Sequence, residues 1–266
     1  MEFRYKDGMD QTPIPNVPQN LTDRPCQSPG IEIVEGGGSI AEIQSPPSTT
    51  LSLELSLRPS GQLLSDIGYK EKEKYIKMWD VPVYRHTSPG SNLSLDFLRY
   101  FAKEMQVGDT LADFGCGTGR AAHMFLERGL NVNLIDIAPN CLDGEIQALT
   151  LMMPHRITFT EACLWELTSD IESADWLYCC DVMEHLPEAY VEQTLAQLAQ
   201  RNKKGGCFQI FLQDEPFGTL IEDHLHLTIQ NQEWWVEKIS KHWDIIGYGP
   251  EIPGMRFSCF VAKKSG

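Results

Sequence analysis

Three glycines at alternating positions mark the part of the chain that could bind a nucleotide-like ligand. They lie in LADFGCGTGRAA (residues 111–122), where a short apolar run is followed by Gly115, Gly117 and Gly119 and then by residues that can begin a helix. The pattern predicts a strand, a tight turn and a helix. Because glycine turns sharply and carries no side chain, the backbone amides of such a turn can face a polar cofactor.

The spacing of these glycines argues against a dinucleotide. In the dinucleotide-binding fingerprint the second and third glycines lie three apart, and the helix N-terminus faces a pyrophosphate. Here the spacing is GxGxG, and Asp113 stands two positions before the first glycine. A carboxylate at that position would repel a diphosphate but attract an amino group. The motif therefore favours a cationic amino-acid cofactor.

The segment DFGCGTGR resembles the first motif of the class I S-adenosylmethionine-dependent methyltransferases, an acid followed by GxGxG. This resemblance implies that the cofactor is S-adenosylmethionine. It also implies that the residues of the motif bind this cofactor: Asp113, Gly115, Cys116, Gly117, Thr118 and Gly119.

A second segment, VNLIDIAP (residues 132–139), ends an apolar alternation on Asp136. Its distance from Gly119 is close to the roughly 20 residues at which an acid commonly reaches a ribose hydroxyl in nucleotide-binding βαβ units. We therefore expect Asp136 to hold both ribose hydroxyls, with Ile137 beside it in the cofactor site.

The third segment, ITFTEACLWEL (residues 157–167), departs from the family. Relatives usually carry an Asp here that accepts a hydrogen bond from the adenine amine, and the alignment places Cys163 at that position. A thiol is a weak acceptor. We therefore expect the backbone amide of Leu164 and apolar walls to define the adenine site, with Glu161 or Glu166 as alternative acceptors.

The fourth segment, ADWLYCCDVMEHLP (residues 174–187), resembles the family's fourth strand and its DVxEH continuation. The resemblance implies that Asp181 and Val182 face the cofactor and the reacting centre. The spacing of the predicted strands and helices indicates that the resemblance to the family covers roughly residues 70–264. It implies an α/β fold, with a Rossmann-like, mostly parallel sheet of seven strands, helices on both faces and an antiparallel last strand.

Two helices are predicted before the first strand, one over residues 66–80 and one within SPGSNLSLDFLRYFAKEM (residues 88–105). In the family such N-terminal helices form a lid over the cofactor and one wall of the substrate pocket. Arg85 is then a candidate partner for the methionyl carboxylate of the cofactor. Three aromatic residues are candidates for substrate binding: Tyr75, Trp79 and Tyr84.

Residues 1–62 are predicted to be a disordered tail ahead of a methyltransferase domain of residues 63–266. Pro, Gly and Ser are dense over residues 8–61 and large apolar residues are few, so this part cannot bury enough surface to offset ordering entropy. The exception is LSLELSL (residues 51–57), whose period-two alternation could add a strand to a sheet edge. With neither a leader pattern nor a long apolar segment, a soluble cytoplasmic protein is expected.

A formal net charge of −15 opposes docking on a phosphate backbone. Nucleic acid is therefore disfavoured as a substrate, and no association with a membrane is expected. The cluster KEKEKYIK (residues 70–77) alternates in sign and is typical of a solvated helix face. Eight scattered cysteines without a CxxC pair indicate reduced, mostly buried thiols rather than a zinc or redox centre.

Transfer of a sulfonium methyl group needs an in-line nucleophile at near-attack distance. A hydroxyl acceptor must also lose its proton, and histidine is the natural base near neutral pH. The candidates are His185 in the DVxEH segment, and His224 and His226 in the loop 214–228 after the fifth strand. This loop resembles the substrate loop of small-molecule and glycan methyltransferases, which implies a small-molecule or glycan substrate.

The leading hypothesis is a methyltransferase that acts on an oxygen of a small molecule or a glycan sugar, with a nitrogen as the second choice. One alternative is a scaffold protein that binds the cofactor without turnover. Another is an RNA-end 2′-O-methyltransferase with a divalent metal. The RNA-end alternative rests on a resemblance to the small-RNA 2′-O-methyltransferases, in which an ExxEH motif and a downstream His bind magnesium. The corresponding residues here are Asp181, Glu184, His185 and His226. Because the first acid is Asp rather than Glu, no metal ligand is assigned, and the oligomeric state is left open.

Overall fold

The computed structural model describes residues 58–59, 64–88 and 90–264. Apart from the pair 58–59, the predicted tail of residues 1–62, with its candidate strand at 51–57, lies outside the described residues. Its disorder and the domain boundary at residue 63 therefore stay predictions.

The centre of the described fold is a sheet of eight strands. In chain order the strands are β1 (Arg58–Pro59), β2 (Thr110–Phe114), β3 (Asn131–Asp136), β4 (Ile157–Glu161), β5 (Ala174–Cys180), β6 (Asn202–Phe211), β7 (Trp243–Tyr248) and β8 (Arg256–Lys263). Across the sheet their order is β1-β4-β3-β2-β5-β6-β8-β7. Strands β1 to β6 run parallel, and β8 pairs antiparallel with both β6 and β7. The seven predicted strands and the antiparallel last strand are confirmed, and β1 adds two residues at the edge.

Seven α-helices accompany the sheet in the described residues. They are α1 (Asp66–Trp79), α2 (Pro82–Thr87), α3 (Ser94–Tyr100), α4 (Ala122–Glu127), α5 (Gly144–Met152), α6 (Glu188–Arg201) and α7 (Gln232–Ser240). Short 3₁₀ helices cover Leu164–Glu166, Met183–His185 and Phe217–Ile221. None of the described helices is long and apolar enough to cross a membrane.

Successive residues of β5 point to opposite faces of the sheet and enter two separate cores. Tyr178 packs edge-on against Phe97 of α3 and Phe125 of α4 on one face. Leu177 and Cys179 join the core on the other face, which α6 and α7 cover. Helices therefore lie on both faces, as predicted. The described cysteines are all buried and free, also as predicted.

The chain before β2 forms three helices rather than the two predicted, because Pro82 begins α2 at the first helical position, where its missing N–H is not needed. The interpretation of KEKEKYIK as a solvated face is wrong for two of its residues. Glu71 and Lys74 of α1 are 6 % and 3 % exposed and form an ion pair with each other. The buried face of α1 continues through Tyr75 and Trp79.

Replacing Leu195 with Ala should lower the free energy of unfolding by about 2–5 kcal/mol, since it leaves a cavity between α6 and the sheet. Leu195 is fully buried, and the same face of α6 buries Val191 and Leu198. Urea unfolding would measure the change. The exposed Gln200→Ala on the same helix is the control and should shift stability by no more than about 0.5 kcal/mol. Equal effects of the two changes would contradict this packing.

Candidate active site

The glycine turn follows β2, the strand near the middle of the sheet. Gly115 and Gly117 have φ angles of +74° and +51°, in the region that favours glycine. A Cβ at Gly117 would lie 2.9 Å from the ring of Trp79, and one at Gly115 would overlap the side chain of Val182. The missing side chains thus allow α1 and the segment after β5 to close over the turn.

Asp136, the last residue of β3, holds this turn in place. Its Oδ2 accepts a hydrogen bond from the Gly117 amide at 2.9 Å, and its Oδ1 accepts one from the Ala138 amide at 3.0 Å. Burial raises the pKa of the Asp136 carboxyl group to about 6, while the backbone hydrogen bonds act in the opposite direction. Each carboxylate oxygen can accept a further hydrogen bond, so the residue retains capacity for ligand hydroxyls.

A cavity of about 330 Å³ opens where β2, β3 and β5 end. The carboxyl ends of parallel strands are where open α/β sheets bind their ligands. Most of the residues singled out from the sequence line this cavity: Tyr75, Trp79, Tyr84, Gly115, Cys116, Gly117, Asp136, Ile137, Leu164, Asp181, Val182, His185 and His226.

Four motif residues lie in the core rather than in the cavity wall. Asp113 is 3 % exposed, and burial raises the pKa of its carboxyl group well above the ordinary range. Thr118 is buried, and a Cβ at Gly119 would lie 2.8 Å from Ile146 of α5. Cys163 is fully buried. These placements support a role in packing the turn and the loop after β4, not direct contact with a cofactor.

Arg85 is also outside the cavity wall, and its guanidinium group is fully engaged elsewhere. Nε donates to the carbonyl of Trp79 at 3.1 Å, and Nη2 donates to that of Asn140 at 2.6 Å. Nη1 donates to the carbonyl of Cys141 at 2.7 Å and to Asp143 at 3.2 Å. The arginine therefore joins α2 to the loop after β3. The expected pair with a cofactor carboxylate is not supported by this placement.

The imidazoles of His185 and His226 both line the cavity and pack edge-on against each other, with ring centroids 4.7 Å apart. Nδ1 of His185 lies 3.1 Å from the carbonyl of Leu225, and Nδ1 of His226 lies 2.6 Å from that of Gln213. A carbonyl oxygen can only accept, so Nδ1 carries the proton in each neutral ring, and each Nε2 bears a lone pair. Burial, and to a smaller extent the neighbouring His226, lower the pKa of His185 to about 3.

His224 lies outside this pair, although only one residue separates it from His226. Its side chain is exposed, and its backbone carbonyl accepts a hydrogen bond from Lys74 at 2.9 Å. Residue 224 therefore contributes to the site through its main chain, which anchors the loop to α1. Of the two loop histidines named as candidate bases, His226 lines the cavity and His224 does not, and a catalytic role for either stays a prediction.

Three of the four residues named for a metal come together. One ligand atom each of Glu184, His185 and His226 lie within 4.8 Å of one another. Oε1 of Glu184 accepts from the amide of Phe211 at 3.0 Å, whereas Oε2 has no hydrogen-bond partner among the described residues. Burial and the nearby Asp181 raise the pKa of Glu184, so a cation bound here would have to displace a proton.

Asp181, the fourth residue of that set, is directed elsewhere. Its Oδ2 accepts from the side-chain amide of Gln209 at 2.7 Å, and Nε of Arg256 lies 3.5 Å from its Oδ1. Its φ of +53° is uncommon for a residue with a side chain. Such conformations occur where the surrounding structure holds them in place, and they cluster at functional sites.

Several residues of the cavity wall were not predicted from the sequence. They are Glu71, Trp165, Phe211, Glu215, Phe217 and Arg256. Phe211 and Arg256 lie on paired strands, and their positions could have been inferred only from the sheet order. Phe217 packs edge-on against Tyr84 at 5.8 Å and so completes an aromatic wall that begins on α1.

Comparison with known proteins supports the interpretation of the fold. Residues 111–206 match the family model described as a methyltransferase domain. Among solved structures, the chain is similar to 1,6-didemethyltoxoflavin N1-methyltransferase of Burkholderia thailandensis, with a TM-score of 0.58, 17% identity, and coverage of 77% of this chain and 92% of that one. No curated protein matches the chain in sequence.

Two further proteins of similar structure are methyltransferases named for different substrates. Magnesium protoporphyrin IX methyltransferase of Synechocystis has a TM-score of 0.53, 16% identity, and coverage of 75% of this chain and 95% of that one. Phosphoethanolamine N-methyltransferase 2 of Haemonchus contortus has a TM-score of 0.58, 15% identity, and coverage of 77% of this chain and 61% of that one. At these identities the likeness shows the fold.

Residues 111–206 therefore match a methyltransferase domain, and the sheet around them has the Rossmann-like fold of the similar methyltransferase structures. The Burkholderia structure contains S-adenosylhomocysteine, and the Haemonchus structure contains S-adenosylmethionine.

Replacing Arg85 with Ala should lower the free energy of unfolding by about 1–3 kcal/mol, because it removes donors from buried carbonyls of two segments. Affinity for S-adenosylhomocysteine should stay close to that of the wild type. Urea unfolding and calorimetry would measure the two quantities. Arg99→Ala, at a side chain that is 69% exposed, is the control. A loss of affinity of more than about tenfold with unchanged stability would instead place Arg85 against the cofactor.

Proposed function

We propose that this protein is an S-adenosylmethionine-dependent methyltransferase that transfers a methyl group to an oxygen of a small molecule or of a sugar in a glycan, and that residues 63–266 form its catalytic domain. The observation that carries the proposal is the pair of imidazoles of His185 and His226, which both line the cavity and each have Nδ1 beside a backbone carbonyl. A hydroxyl is a weak nucleophile until its proton is removed, and an imidazole lone pair is suited to remove it.

The residues present fit the cofactor. Gly115 and Gly117 line the cavity without side chains, so the amino-acid end can lie against the backbone of the turn, and Asp136 has free lone pairs for ribose hydroxyls. Ile137 and Leu164 provide apolar walls for the adenine ring of the cofactor. When bound, S-adenosylmethionine supplies an electrophilic methyl group on a sulfonium, and its leaving group is neutral.

His226 is the better candidate for the base. The pKa of His185 is lowered to about 3, so its ring is a weak base at neutral pH. His226 is oriented by the carbonyl of Gln213 and is braced by the ring of Phe211, whose centroid lies 5.6 Å away. We infer that His226 takes the hydroxyl proton on Nε2, while His185 positions it.

The walls of the cavity favour a small acceptor. The aromatic rings of Tyr75, Trp79 and Tyr84 lie on the lid side, and Glu215 lies in the loop after β6. The cavity volume of about 330 Å³ is at the lower end of the range for ligand pockets and therefore favours a small acceptor, or only the end of a larger one. Acidic groups in the wall and a net charge of −15 disfavour a nucleic-acid backbone.

Replacing His226 with Gln should lower kcat by about 10²–10⁴-fold, because the general base is lost. Methyl-labelled S-adenosylmethionine and the small-molecule and glycan fractions of a cell lysate provide the assay. Affinity for S-adenosylhomocysteine should be retained. The matched control is His224→Gln, whose exposed side chain should leave kcat unchanged.

Two outcomes would overturn this assignment. Full loss of label transfer with a chelator, and its return with magnesium or manganese, would make Glu184, His185 and His226 metal ligands instead. This second candidate function is favoured by the unpartnered Oε2 of Glu184. Cofactor binding without label in any fraction would favour a scaffold protein that does not turn over.

The affinity for S-adenosylhomocysteine should fall as the pH decreases below about 6. Asp136 has a pKa of about 6, and its ionised form is the one that accepts from ribose hydroxyls. Above pH 6 the carboxylate is charged and affinity is full; below it, protonation weakens binding by up to about tenfold per pH unit. Calorimetry between pH 5 and 8 would measure this. Asp136→Asn should bind weakly and without the same pH dependence, and a wild-type affinity that is flat across this range would contradict the assignment.

A further inference from the structure

Glu71 places a buried carboxylate in the wall of the cavity, on the lid helix α1. It is 6 % exposed, and its Oε2 forms an ion pair with Lys74, which is 3 % exposed and also donates to the carbonyl of His224. In the described part of the chain no hydrogen bond reaches Oε1 of Glu71. The ion pair offsets the cost of burying the charge, and Oε1 keeps its capacity to accept a hydrogen bond from a ligand in the cavity.

The geometry of α1 shows which end of the cavity Glu71 faces. Trp79, on the same helix, lies against Gly117 of the glycine turn. Glu71 precedes Trp79 by eight residues, which corresponds to about 12 Å along the helix axis at 1.5 Å per residue. Both side chains line the cavity. Glu71 therefore lies at the end that is remote from the glycine turn.

The loop after β4 forms that remote end. Lys72 forms an ion pair with Glu161, and Ser65 donates to Glu166 from both its amide and its hydroxyl group. The N-terminal half of α1, which carries Glu71, is thus tied to this loop. Leu164 and Trp165 of the same loop line the cavity.

A cofactor with its amino-acid end at the glycine turn and its ribose at Asp136 would extend its adenine to this end. The adenine amine then needs an acceptor. Cys163 is fully buried and is not part of the cavity wall. Glu161 forms an ion pair with Lys72 of α1, and Glu166 accepts a hydrogen bond from Ser65, the N-cap residue of α1. Among the described residues that line this end, Glu71 supplies a carboxylate.

We propose that Glu71 recognises the adenine amine of the cofactor by accepting a hydrogen bond on Oε1. The inference rests on the proposed placement of the cofactor. Lys74 holds the carboxylate in position through its ion pair and ties it to the loop that carries His226. Hypoxanthine presents a carbonyl where adenine presents the amine, and a carboxylate and a carbonyl are both acceptors. The site therefore discriminates against an inosine analogue.

The test is a calorimetric comparison of S-adenosylhomocysteine with S-inosylhomocysteine. The wild type should prefer the adenosine compound by about 10²-fold or more. Glu71→Gln should reduce that preference by at least about tenfold, because an amide can donate to the hypoxanthine carbonyl. Glu71→Asp keeps the charge beside Lys74 but retracts it by one methylene, and should weaken S-adenosylhomocysteine binding by about tenfold. The exposed Glu73→Gln, two residues along α1, is the matched control and should behave as wild type.

Thermal unfolding of each variant shows whether it is folded. An unchanged preference in both folded Glu71 variants would overturn the inference, and so would a raised KM for the methyl acceptor without a change in preference. If Asp136→Ala abolishes binding while both Glu71 variants keep the full preference, the proposed function stands and this inference alone fails. A folded wild type that binds neither compound would overturn both.

Discussion

The hydrogen bond from the Gly117 amide to the Asp136 carboxylate is the contact on which the site depends. It joins the turn after β2 to the end of the neighbouring strand β3, so that the backbone of the turn and a carboxylate line one cavity. The positive φ angles of Gly115 and Gly117 make the turn tight enough for this contact. Burial then raises the pKa of Asp136 towards neutrality, which makes its charge sensitive to the surroundings.

The lid helix α1 provides the second constraint. One face of this helix carries Trp79 against the glycine turn, Tyr75 against His185 and Glu71 towards the loop after β4. A single rigid element thus spans the cavity from one end to the other. Because Lys74 links Glu71 to the carbonyl of His224, the lid is also coupled to the loop that carries the proposed base.

The sequence pattern could not distinguish which of the two loop histidines lies at the cavity. His224 and His226 lie in a loop without periodicity, so the sequence predicted both as candidates and could not separate them. The hydrogen bond from His226 to the carbonyl of Gln213 places it at the cavity, whereas His224 is exposed. Arg85 is a similar case: its charge suggested a carboxylate ligand, but four backbone carbonyls in two segments bind it.

The class of fold, the strand ends and the cofactor motif could be read from the chain because they depend on neighbours in sequence. The glycine spacing, the apolar runs of β2 to β6 and the acid that ends β3 are local signals. The positions of Glu71, Arg85 and His226 were decided by contacts between residues far apart in the chain, such as Lys74 with residue 224 and Arg85 with residue 141. A charged residue on a helix looks solvated in sequence, and only packing removes it from water and supplies its partner.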